Sequence, residues 1–213
     1  MKKQDLEKIR AKSTLNLKSD IDNKRRELGE IKMDSQVKLE FEHSKSGDKE
    51  ERYEAYQYIL KVTDRKVDWA YEVWDQLLED LTHKDNHQRS RAAQYLANLA
   101  ISDPEMRMMK DFPRLWEVTK DEKFVTARHS LQSIWKVGIA GTPQKEMVMD
   151  YMVERFKKGT DEKNFTLIRD DVLQNMRNLY DHFNDESIKQ TALDLIDTVD
   201  DKKYKKKYMN IWK

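Results

Sequence analysis

The chain contains no cysteine. Disulfides, thiol nucleophiles, cysteine-ligated zinc and iron–sulfur clusters are therefore excluded. Glycine occurs only 5 times and proline 3 times in 213 residues. Few breakers interrupt long segments, and a glycine-rich phosphate cradle has no material to form from. No stretch approaches the roughly 18 consecutive apolar residues of a spanning helix. The first residues, MKKQDLEKIRAKSTLNLKSD, start basic but lack the apolar run of a secretory signal. The expected address is the cytosol. Lys and Arg total 41 against 40 Asp and Glu, a formal charge of +1. Bulk attraction to nucleic acid or anionic membrane is not implied, which leaves only local basic faces.

What is present is periodic. From Trp74 to Leu99 the chain reads WDQLLEDLTHKDNHQRSRAAQYLANL. Trp74, Leu77, Leu78 and Leu81 form one apolar stripe, and Ala92, Ala93, Leu96 and Leu99 form another. Asp85 stands at the turn between them and Arg89 opens the second helix. Four segments align on this pattern: RYEAYQYILKV (52–62), RSRAAQYLANL (89–99), ARHSLQSIWKV (127–137) and RDDVLQNMRNL (169–179). In each, apolar residues recur at three- and four-residue steps, the mark of an amphipathic helix with one buried face. Ala92, Ala93, Leu96, Leu99, Leu131, Ile134, Val137, Leu173 and Met176 are the expected core. Second helices are expected near 66–82, 104–120, 144–158 and 185–199. Asp103-Pro104 and Thr142-Pro143 read as helix starts, a capping side chain followed by proline at the first helical position.

Three regions follow. Residues 1–46 carry sparse apolar positions among many charges and read as an N-terminal helical cap or arm. Ser46-Gly47-Asp48 is the boundary, with Asp48 placed to cap the next helix. Residues 47–199 hold about four helical hairpins. Residues 200–213, with Tyr204, Tyr208, Ile211 and Trp212 on one side of a short helix, close the open end. The fold class expected is all-α.

Residues 48–199 resemble the HEAT-repeat family. The basis is the apolar second helix, the turn aspartate, the arginine near the next helix start and the AA…L..L ladder. Arg128 stands about two residues out of register with Arg89, and Arg169 returns to register. The resemblance implies a right-handed α-solenoid of stacked antiparallel hairpins. It also implies adaptor or scaffold work with no shared enzymatic activity, and an outer, convex layer formed by the first helices.

The candidate functional residues are few. Asp85 with Arg89, and Asp121 with Arg128, read as ion pairs that tether adjacent layers. Arg89, Arg91, Arg128 and His129 form the densest basic feature, which Arg52 and Arg169 extend. At least one of the three guanidiniums at 89, 91 and 128 is expected to be exposed for an anionic or acidic partner. Trp74, Trp116 and Trp135 lie in apolar stripes and read as core, whereas Trp69 is the tryptophan expected at the surface, where it could contact a partner. The five histidines show no metal-binding spacing, and no nucleotide or nucleophile motif appears. The expectation is a non-enzymatic protein–protein interaction module without cofactor or metal, binding a partner helix or peptide. The alternative is a nucleic-acid-binding solenoid related to DNA alkylation repair. Its warrant is the arginine strip, which would meet phosphates; for base repair, the Trp69, Tyr71, Trp74 and Asp75 set next to Arg128 resembles in residue type alone the aromatic, acidic cleft of DNA glycosylases among HEAT-like solenoids.

Overall fold

A computed structural model describes residues 33–213. Among them every regular element is helical and no strand occurs. In chain order these are α1 (Ser35–His43), α2 (Lys49–Thr63), α3 (Ala70–Asp80), α4 (Asn86–Leu99), α5 (Arg107–Val118) and α6 (Phe124–Ser133). Then follow α7 (Trp135–Gly138), α8 (Thr142–Lys158), α9 (Phe165–Phe183), α10 (Glu186–Asp197) and α11 (Lys202–Met209). The helices pack in two rows. α2, α4, α6 and α9 contact one another in succession, and α3, α5, α8 and α10 do the same behind them. α1 pairs with α2, and side chains of α1 and the turn after it reach α3: Lys38 lies 3.7 Å from Glu72 and Lys45 lies 3.8 Å from Asp80.

The starts of these helices follow from local chemistry. Asp48, Asp85, Asp185 and Asp201 each accept a hydrogen bond from a backbone N–H of the following first turn. Each thereby satisfies a donor that has no partner inside the helix. The two proline starts divide: α8 begins where expected, with Pro143 in its first turn, whereas the start expected at Pro104 is displaced. α5 begins at Arg107 instead of Pro104, after Met106 turns the chain with φ 54°. Asp103 still caps it from outside, accepting from the N–H groups of Arg107 at 3.0 Å and Met108 at 2.7 Å. Thr142 is the first residue of α8 and makes no cap; the flanking Gly141 precedes it.

The expected apolar ladder is the core. Ala92, Ala93, Leu96, Leu99, Leu131, Ile134, Val137, Leu173 and Met176 are all buried, none more than 2% exposed. Ala55 and Ile59 on α2 and Val172 and Leu179 on α9 continue the same columns. Residues 33–46 are part of this packing: Met33 and Val37 are buried, and the Phe41 ring meets Trp69 and Tyr95 edge-on at 6.2 and 5.8 Å. The remainder of the expected N-terminal arm, residues 1–32, lies outside the described residues. At the other end α11 packs on α9 and α10. Tyr208 and Trp212 are buried there, and the Tyr208 hydroxyl donates to the Thr166 carbonyl at 2.8 Å.

One expected helix is two. The reading carries a single helix through 127–137, but the helix is interrupted at Ile134. Buried Asn175 of α9 causes the break. Its Nδ2 donates to the Leu131 carbonyl at 3.0 Å, and its Oδ1 accepts from the Trp135 N–H at 3.1 Å. Those two groups are four residues apart and would otherwise bond to each other. A side chain inserted into the i→i−4 ladder bends a helix, and here both displaced groups remain satisfied.

Candidate binding groove

The arginines singled out in the sequence turn inward. Arg52 and Arg89 stand four residues after their capping aspartates and do the same thing. Arg52 donates to the carbonyls of Ser46 and Gly47, each at 2.7 Å; Arg89 donates to His83 at 2.7 Å and Lys84 at 3.2 Å. Each guanidinium thus ties down the turn that precedes its helix. Arg89 also closes a two-pronged bond on Asp121 of the next turn, at 2.6 and 2.9 Å. Arg128 makes the same fork on Asp171 of α9, at 2.7 and 2.8 Å. The layers are therefore tethered by Arg89–Asp121 and Arg128–Asp171, whereas the sequence paired Asp85 with Arg89 and Asp121 with Arg128. Burial acts first on Asp121 and pushes its pKa up, but the Arg89 guanidinium and the Lys123 N–H outweigh it and hold the carboxyl below its usual range. Arg169 donates to the Phe156 carbonyl and lies 4.5 Å over the Phe156 ring.

No exposed arginine strip results, contrary to expectation. The Arg89 and Arg128 side chains are 15% and 30% exposed. Arg91 is half-buried, with Nη1 on the Ser44 carbonyl at 2.7 Å and its guanidinium 5.8 Å from the Tyr56 ring centroid. Trp74 and Trp116 are buried as expected, but Trp69 and Trp135 depart from expectation. Trp69 is 7% exposed under Phe41, while Trp135 is half-buried at the surface of α7. Trp69 is thus unavailable as an exposed aromatic contact. The aromatic, acidic cleft is not formed either: Trp74 is fully buried, and its indole N–H donates to Asp111 at 2.9 Å. Arg107, not Arg128, is the cation beside it, 5.1 Å over Tyr71 and 5.7 Å over Trp74.

Of the candidates, His129 alone is exposed, and it lines a groove. The groove, about 310 Å³, runs over α4 between α2 and α6–α7. Tyr56 and Leu60 form one wall, Gln94 and Asn98 the floor, and His129, Gln132, Ser133 and Lys136 the other wall. Lys136 reaches Asp64, just past the end of α2, at 2.6 Å, so α2 and α7 are bridged directly past the intervening α4. The floor is pre-set. The Tyr56 hydroxyl donates to Gln94 at 2.7 Å, and Asn98 donates to the Leu60 carbonyl and Thr63 hydroxyl at 3.2 and 3.0 Å. Gln132 donates to Asp171 at 2.9 Å, so one residue anchors both the groove wall and the arginine tether. No carboxylate lines the groove; its titratable wall groups are Tyr56, His129 and Lys136.

The sequence held a signal for this groove that the apolar ladder concealed. The sixth residue of each aligned segment is glutamine: Gln57, Gln94, Gln132 and Gln174. The column stays half-buried or exposed throughout. Among the described residues, no group of three or more His, Asp or Glu side chains is placed to hold a metal ion. No helix there is long and apolar enough to cross a membrane. No family model matches the chain, and no match is found among curated proteins.

Proposed function

We propose that this protein is a non-enzymatic interaction module, a short HEAT-like α-solenoid that holds a segment of a protein partner. The groove over α4 carries the reading. It offers the Gln132 amide beyond its one bond to Asp171, an aromatic wall at Tyr56 and a basic wall at His129 and Lys136, while the Gln94 amide is spent on Tyr56 and Ser90 and holds the floor. Amides satisfy the main-chain N–H and C=O groups of an extended peptide irrespective of its sequence. The aromatic and basic groups add anchors, and interfaces draw most of their affinity from few such residues. The groove lies on the row of first helices, the layer that the family resemblance places on the outer, convex side.

The arginines support the same reading by what they do. Their forks hold α4, α6 and α9 in register, which fixes the groove walls before any partner arrives. Preorganised walls lose less freedom on binding. Nucleic acid is the less favoured ligand, because the chain is near neutral and its arginines are engaged internally.

The experiment is affinity capture with the full chain and with a His129→Glu, Gln132→Ala variant, each with and without nuclease. One protein recovered at a fixed ratio by the wild type, retained after nuclease and lost with the variant, supports the reading. Recovery that vanishes on nuclease treatment overturns it in favour of nucleic acid. Recovery unchanged by the variant moves the binding surface off the groove.

A further inference from the structure

A second cavity, of about 280 Å³, lies between α1, α3 and α4, on the other side of Arg91 from the groove. Phe41, Leu77 and Ala92 give it apolar walls. Tyr95 and Arg91, one turn apart on α4, are its principal donors. Tyr95 is 2% exposed, and its hydroxyl has no hydrogen-bond partner among the described residues. A buried hydroxyl without a partner is uncommon and calls for an explanation, since it has given up water for nothing. Arg91 is in a similar position. Its Nη1 is held by the Ser44 carbonyl, and no other hydrogen bond engages the guanidinium among the described residues. Three acidic residues also line the cavity: Glu72 lies 3.7 Å from Lys38, Asp80 lies 3.8 Å from Lys45, and Glu42 is exposed to solvent at the rim.

A rigid fork with spare N–H groups beside an idle O–H is a donor set that wants two acceptor oxygens in one plane. A carboxylate has that geometry. The volume is too small for a nucleotide and suits a few heavy atoms. We propose that this cavity binds a carboxylate, one oxygen taken by the Arg91 fork and the other by the Tyr95 hydroxyl. The group would belong either to a free small acid or to a Glu or Asp side chain of a bound peptide. The Phe41, Leu77 and Ala92 walls receive the aliphatic part. The inference is independent of the groove over α4, which shares neither Tyr95 nor Arg91.

The test is a titration of the ¹⁵N-labelled full chain, followed by amide NMR shifts. The probes are succinate, the blocked peptide acetyl-Ala-Glu-Ala-amide and its Gln counterpart. Succinate, the Glu peptide or both should give saturable shifts at Ser44, Arg91 and Tyr95, and the Gln peptide should not. Saturation by succinate identifies a free acid as the source; saturation by the Glu peptide alone identifies a side chain. Tyr95→Phe should weaken binding about tenfold, the loss of one hydrogen bond. Its melting temperature should hold or rise, because a buried hydroxyl without a partner costs stability and its removal takes no bond from the fold. Absence of saturable shifts with both acids overturns the proposal. So does equal binding by Tyr95→Phe, or a lowered melting temperature of that variant, which would mean the hydroxyl is already bonded internally.

Discussion

Arg89 and Asp121 join two successive layers through a two-pronged bond at 2.6 and 2.9 Å, with the carboxylate side chain only 6% exposed. Thirty-two residues separate them. Asp85, only four positions from Arg89, instead caps α4 by accepting from the His87 N–H at 2.9 Å. The two acids have different tasks, and a double-mutant cycle separates them. Arg89→Gln with Asp121→Asn should show a coupling of about 1–3 kcal/mol in urea unfolding, as for a partly buried charge pair. Arg89→Gln with Asp85→Asn should be additive, the acid contributing only its cap. Equal coupling in both cycles would mean the tether is misassigned.

The core columns make a simpler prediction. Leu96 is fully buried in the C-terminal half of α4. Leu96→Ala should cost about 2–5 kcal/mol through lost transfer energy and the cavity left behind. Denaturant unfolding reads this directly, and a loss near zero would show that the helix is rotated from the orientation described.

Asn175 is the third test. Its carboxamide satisfies both ends of the broken α6–α7 hydrogen bond. Asn175→Ala should cost about 1–3 kcal/mol for the buried groups left without partners. Amide exchange at Trp135 should accelerate in the same variant. Unchanged exchange there would show that the helix break is imposed by the local sequence and not by Asn175.

Acid stability gives a prediction with a defined sign. Asp185 accepts from Lys145 at 2.7 Å and from the Ser187 hydroxyl and N–H at 2.6 and 3.0 Å. The Lys145 ammonium, with Ser187 assisting, holds its pKa down at about 2. Its unfolded value is about 3.9. A depressed folded pKa means that the unfolded chain takes up the proton first. The associated stability is fully present above about pH 4 and is lost as the pH falls through 4 towards 2. Urea midpoints measured between pH 6 and pH 2.5 should therefore fall, and Lys145→Ala should flatten part of that slope. An identical acid limb in the variant would remove Asp185 from the account.

The all-helical character, the placement of the first helices and their buried columns were legible in the sequence by itself. Ala92, Leu96, Leu131, Ile134 and Met176 lie inside because a 3.6-residue period belongs to one helix and needs only something apolar to cover it. The cap at Asp48 was legible too, from an acid just ahead of a periodic segment, whereas Asp85 read as the partner of Arg89 and proved to be a cap. Tertiary structure alone decided which acid each arginine grips, which tryptophan is covered and where the groove opens. Arg89 meets Asp121, and Arg128 meets Asp171, because the stagger of helices some 40 residues apart sets which side chains coincide. Trp69 is covered because Phe41 of α1 lies on it, and α1 carried too weak an apolar pattern to be placed from sequence. Asn175 splits a neighbouring helix that its own segment gives no hint of. The glutamine column was in the sequence throughout, but only the packing of α2, α4 and α6 shows that Gln94 and Gln132 face a common groove.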